Sequence, residues 1–170
     1  MSITQCIKKI VVCNFFLFVL LTGKAFYQAI QAANSSDQRA VLIPEGKTFS
    51  FLPYMKQITH VTNVSIFIEG TLEAYTVDFT KYWPGYGQGS YDMISFAYSD
   101  RISFISMTGD GTINGKGNAW WWYTIIVGND ERPCLLVVSQ TSNLVLKGIL
   151  FLNSPRFHVG FWDVLDVEVK

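Results

Sequence analysis

Histidine and cysteine are scarce in this chain of 170 residues, at two and three. Cys6 and Cys13 fall in the N-terminal segment 1–25, which leaves Cys134 alone beyond it. One thiol with His60 and His158 makes neither a disulfide framework nor a Cys/His ligand set, so no metal and no cofactor is expected. An excess of charge is lacking too: 13 basic residues balance 13 acidic ones, and neither sign is clustered. Without a basic stripe there is no electrostatic footprint for nucleic acid or an anionic membrane surface. Hydrophobic residues make up 49% of the chain and aromatic ones 15%, enough for a core.

Only one long apolar run occurs, from Ile10 to Leu21, broken by Asn14 and preceded by Lys8 and Lys9. Twelve residues rise about 18 Å as a helix, too little for a hydrocarbon core of about 30 Å. A basic start followed by a short apolar stretch is the secretory signal pattern, with Gly23 and Ala25 as small residues for cleavage. Residues 1–25 are therefore expected to be a signal peptide, giving a secreted protein, with a signal anchor as the alternative. Membrane contact is expected through this segment alone. Asn34 and Asn63 head N-glycosylation triplets, whereas Asn153-Ser-Pro does not.

After it, KAFYQAIQAAN spaces Ala25, Phe26, Ala29, Ile30 and Ala33 as one short amphipathic helix. From Ala40 on no helical period returns. Short strand-like runs follow instead, punctuated by Gly, Asn, Asp, Ser and Pro. Ile94 and Ile102, Leu136 and Leu144, and Val159 and Val167 are each eight residues apart. Ile102 and Leu144 differ by 42, Leu144 and Val167 by 23, and IEGTLEA (68–74) is echoed by GDGTING (109–115) at an offset of 41. Steps of about 21 to 23, and doubles of that, predict stacked coils of short strands, a β-solenoid. Side chains such as Ile102, Phe104, Leu144 and Leu146 would point inward, and Ser103 and Lys147 outward. Hairpin signals of the two-residue kind are too few and too close together for a sandwich.

TGDGTINGKGNAWWW (108–122) is the most distinctive stretch. It fails as a phosphate loop, because three residues rather than four separate Gly111 from Gly115 and Lys116 is followed by Gly117. It fails as a dinucleotide motif, because Asn114 stands where the third glycine belongs and no amphipathic helix is expected next. Its glycines read as positive-φ corners between coils, and Asp110 as a turn residue. Trp120, Trp121 and Trp122 either pack into the wall or offer a ring face to a sugar, and three in a row cannot all point one way. Arg156 and His158, two apart in NSPRFHV, share a face if extended and can bind a carboxylate sugar. Asp110, Asp163, Asp166 and Glu168 form no pair that stands out as acid and base.

In their order, KAFYQAIQAA, VLIPEGKTF, NVSIFIEGTL, ISFISMTGDGTINGKGNAWW and RPCLLVVSQTSNLVLKGILFLNSPRFHV resemble the N-terminal half of the polygalacturonases and related pectin hydrolases, glycoside hydrolase family 28. The resemblance covers roughly residues 24–170. It implies a right-handed parallel β-helix, pectin as the polysaccharide partner, a monomer when full length, and inverting hydrolysis of α-1,4-galacturonan. It also implies that the catalytic carboxylates come from an Asn-Thr-Asp segment and an Asp-Asp doublet, and neither occurs here. The expectation is an incomplete solenoid over residues 26–170 with no catalytic residue of its own, inactive alone. Substrate contacts would then fall to Arg156, His158 and Trp120. A carbohydrate-binding or structural β-helix module and a calcium-dependent pectate lyase-like enzyme are the alternatives.

Overall fold

The computed structural model describes residues 22–128 and 130–170. Most of the expected signal segment lies outside those residues. Helix α1 (Thr22–Asn34) starts within its last four residues, so a boundary after Ala25 falls in the first turn. The helix buries Phe26, Ala29, Ile30 and Ala33, the stripe its spacing dictates. Phe26 meets Phe51 edge to face with centroids 5.5 Å apart, and the helix covers the first coil.

That coil contains β1 (Ala40–Ile43), β2 (Thr48–Phe51) and β3 (Ile58–Thr59). The second contains β4 (Thr62–Ile68), β5 (Thr71–Ala74) and β6 (Ile94–Ala97). The third runs through β7 (Asp100–Ile105) and β8 (Thr112–Asn114) into the start of β9 (Leu136–Lys147). The fourth takes the rest of β9, then β10 (Leu150–Leu152) and the start of β11 (Val159–Val169). Every pairing is parallel. The first wall stacks β1, β4, β7 and the ends of β9 and β11; the second stacks β2, β5, β8 and β10. The third stacks β3, β6 and the starts of β9 and β11. The architecture is a parallel β-helix.

The registers carry the sequence echoes. Ile94 lies beside Leu136, Ile102 beside Leu144, Leu144 beside Val167, and Thr71 beside Thr112. One expectation needs correction. An offset of 41 or 42 is a single coil with an insertion, not two short coils, because strands that far apart in sequence are direct neighbours. The extra length leaves the corner between the second and third walls. It holds the one-turn helix α2 (Phe79–Tyr82) in the second coil and α3 (Asn118–Val127) in the third.

Helix α3 was not legible as a period. Its sequence NAWWWYTIIV has no polar face, yet among the described side chains only Trp120 is buried, while Trp122, Ile125 and Ile126 are exposed. It ends on Gly128 in the left-handed conformation, whose N–H caps the Thr124 carbonyl.

The corner from third to first wall recurs in every coil as two left-handed residues three apart: His60 and Asn63, Tyr98 and Arg101, Gln140 and Asn143, Asp163 and Asp166. Buried hydroxyls satisfy the backbone between them. Val61 N–H donates to Ser99 Oγ at 3.2 Å, and Ser99 N–H to Thr141 Oγ1 at 3.4 Å.

The corner from first to second wall is held by Glu69. Its carboxylate accepts the N–H groups of Met107 and Thr108 and the hydroxyls of Thr108 and Ser106. Burial alone would raise its pKa, but these bonds outweigh that and hold it below the ordinary glutamate value. The glycine reading also needs correction. Among the glycines of GDGTINGKG only Gly109 has positive φ, with Lys116 the other left-handed residue of the stretch, whereas Gly111, Gly115 and Gly117 sit where a Cβ would strike neighbouring atoms within 3 Å. They are there for close coil approach. Asp110 is a turn residue, its N–H donating to Thr108 Oγ1.

Candidate functional site

The corner between second and third walls brings three coils level. Met93 N–H donates to the Cys134 carbonyl at 2.9 Å, Leu135 N–H to the Phe157 carbonyl at 3.0 Å, and Leu136 N–H to the His158 carbonyl at 3.1 Å. Asp92, Cys134 and Phe157 are thus neighbours along one edge of the solenoid. The two inserts flank them and are tied together. Asp92 Oδ1 accepts the Cys134 N–H at 2.9 Å, and Glu131 accepts the Gly87 N–H.

The fourth coil contributes the turn 153–158. Ser154 Oγ closes it by donating to the Phe157 carbonyl at 2.6 Å. Trp121 fastens α3 to it, its indole N–H lying 3.1 Å from the carbonyls of both Ser154 and Pro155. Gly117 N–H donates to the Asn153 carbonyl at 2.8 Å, an approach its missing Cβ permits.

Arg156 and His158 are both exposed on this turn. They lie in bends rather than an extended strand, so strand alternation is not what brings them to the surface. The Arg156 guanidinium sits over the Phe157 ring, 5.4 Å from its centroid. Trp120 is 1% exposed, with its ring 4.0 Å from Phe79 and 5.4 Å from Trp83. The expected sugar contact at Trp120 is therefore corrected: an indole enclosed by aromatic rings has no face left for a ligand. Trp121, which the sequence did not separate from its neighbours, is 38% exposed and borders the turn, and Trp122 points outward.

Burial pushes the Asp92 carboxyl above its usual range, opposed by its hydrogen bonds with Cys134 and by the charges of Arg156 and Lys56. Burial likewise pushes the Cys134 thiol up, so it stays neutral and is a poor nucleophile. Arg132 Nε pairs with Asp130 at 2.7 Å, which holds that carboxyl low.

The two glycosylation triplets differ. Asn34 is spent on the fold, its Nδ2 donating to the His60 carbonyl at 3.1 Å and its Oδ1 accepting the Thr62 N–H at 3.0 Å. Asn63 is exposed at a left-handed corner position.

Residues 34–170 match the family model described as "Glycosyl hydrolases family 28". The chain belongs to this family. Over 116 residues it is 32% identical to a probable endo-xylogalacturonan hydrolase A of Aspergillus niger, covering 68% of this chain and 27% of that protein. Over 153 residues it is 26% identical to a polygalacturonase of Malus domestica, covering 86% and 31%. Among solved structures, an endo-xylogalacturonan hydrolase from Aspergillus tubingensis superposes with a TM-score of 0.67 at 24% identity, over 86% of this chain and 38% of that one. The chain thus spans about a third or less of the curated relatives it matches. This likeness supports the β-helix of the family 28 chain. Among the described residues no three His, Cys, Asp or Glu side chains converge as metal ligands.

Proposed function

We propose that the protein is a secreted glycoside hydrolase acting on pectin, in which these 170 residues supply the scaffold and one flank of the substrate groove. The observation that carries this reading is the exposed turn 153–158 at the edge of a family 28 solenoid. The likeness to a polygalacturonase and an endo-xylogalacturonan hydrolase supports a galacturonan backbone as substrate. Inverting hydrolysis needs one carboxylic acid to protonate the leaving oxygen and a second carboxylate, about 6.5–9.5 Å away, to activate water. The Asn-Thr-Asp segment and Asp-Asp doublet that would supply them do not occur in these residues. The chemistry therefore lies outside them, and Arg156 and His158 bind rather than catalyse. The protein acts as a monomer, and its N-terminal hydrophobic segment, within residues 1–25, directs it to the secretory route.

A column of immobilised polygalacturonate is expected to retain the 170-residue chain, and incubation with soluble polygalacturonate to release no reducing ends above the blank. Clear turnover would overturn the assignment of chemistry elsewhere, and passage straight through the column would overturn the pectin reading.

A further inference from the structure

The chain has four arginines, and three have their guanidinium groups committed. Arg39 Nη1 donates to the carbonyls of Asn34 and Thr62, Arg101 pairs with Asp100 at 2.6 Å, and Arg132 pairs with Asp130. Among the described residues, the fourth, Arg156, has no ion pair and no hydrogen bond through its side chain. Its neighbour is the Phe157 ring, itself 56% exposed. The charges of Asp92 and Asp130 are felt at Arg156, but neither carboxylate reaches ion-pair distance. The turn is also not loose. Ser154 Oγ, the Trp121 indole and the Leu135 and Leu136 amides all bind its backbone. A positioned guanidinium with open donors beside an exposed aromatic face is chemistry without a partner inside the chain.

We propose that Arg156 and Phe157, bordered by Trp121, form a binding subsite for a single hexuronate residue of the polysaccharide. A hexuronate offers what these two side chains lack. Its C–H face stacks on an aromatic ring, and its planar carboxylate takes two parallel N–H donors from a guanidinium. Lysine at this position would give a point charge without the fork. The Arg156 guanidinium stands 5.4 Å from the Phe157 ring centroid, so the two side chains present a charge and an aromatic surface side by side. The Trp121 ring lies at the beginning of the same turn and limits where the neighbouring sugar can pass. This site rests on the pectin reading and sharpens it to one charged contact outside any catalytic carboxylate.

Calorimetric titration of the 170-residue chain tests it, with trigalacturonate, its fully methyl-esterified form and maltotriose as probes. Trigalacturonate is expected to bind at least about tenfold more tightly than its neutral ester, and maltotriose more weakly than either; tenfold corresponds to one well-made charged contact. Arg156→Ala is expected to remove the preference for the free acid, and Arg156→Lys to restore only part of it. Phe157→Ala is expected to weaken acid and ester alike, and Trp121→Phe, which loses the anchor to Ser154 and Pro155, to fall between wild type and Phe157→Ala. Circular dichroism of each variant separates lost binding from lost fold. If wild type prefers trigalacturonate and Arg156→Ala keeps that preference unchanged, the subsite is wrong while the pectin reading stands. If wild type binds trigalacturonate no better than maltotriose, both are wrong.

Discussion

Replacing Trp120 with alanine is expected to lower folding stability by about 3–5 kcal/mol, the usual cost of removing a large buried aromatic. The indole, on the third-coil insert, is 1% exposed and packs on Phe79, Trp83 and Tyr86 of the second-coil insert. With Tyr123, which packs on Phe79 and Tyr86, it joins the two excursions in one aromatic cluster. Edge-to-face pairs of this kind add about 0.5–1.5 kcal/mol beyond burial. Its Nε1–H, however, is buried without an acceptor among the described residues. Trp120→Phe keeps ring contacts while removing that unpaired donor, so it should cost clearly less than the alanine change. Urea denaturation of the three proteins reads both effects. An alanine variant within about 1 kcal/mol of wild type would contradict the role given to the cluster.

Gly111→Ala is expected to be comparably damaging for a different reason. A Cβ there would lie 1.8 Å from the Ile68 carbonyl oxygen and 2.9 Å from Ser106 Cβ. Gly111 does not have positive φ, so the cost is steric, and the obstacle is backbone that cannot rotate away. Overpacking usually costs about 1–3 kcal/mol, and a backbone clash between stacked coils belongs at or above the upper end. Gly109 supplies the contrast. Its φ is +83° and nothing lies within 4 Å of its Cβ position, so Gly109→Ala carries only left-handed strain of roughly 1–2 kcal/mol. Thermal unfolding should therefore rank Gly111→Ala well below Gly109→Ala. The reverse order would mean that the corner is set by glycine conformation rather than by coil spacing.

Much of the fold was legible because a parallel solenoid writes its registers into the sequence. Ile102, Leu144 and Val167 recur at equivalent wall positions, and the Gly70 and Gly111 echoes mark equivalent corners. The inserts broke that legibility. A coil lengthened by 42 − 23 = 19 residues has nothing in its period to say that one coil rather than two has passed. Helix α3 stayed hidden because a helix apolar on every face leaves no amphipathic signal. The left-handed corners were only half visible: Asn63, Asn143, Asp163 and Asp166 are residue types that tolerate positive φ, whereas Tyr98, Arg101 and Gln140 are not. For the site, Arg156 and His158 could be read from NSPRFHV, but the split among the three tryptophans could not. It depends on which side of α3 meets Phe79 and which meets the Ser154 carbonyl. Phe157 stands in the same motif, but nothing in the sequence separates an exposed phenylalanine there from a core one.

The central claim is that the corner between second and third walls faces the substrate. Backbone amide mapping by NMR with trigalacturonate tests it most directly. The account predicts shifts concentrated at Asp92–Met93, Cys134–Leu135 and Arg156–His158, with Trp121 indole N–H moving as well and the Glu69–Gly111 corner unmoved. Shifts centred on the Glu69–Gly111 corner or on the exposed end of α3, with residues 154–158 silent, would contradict it.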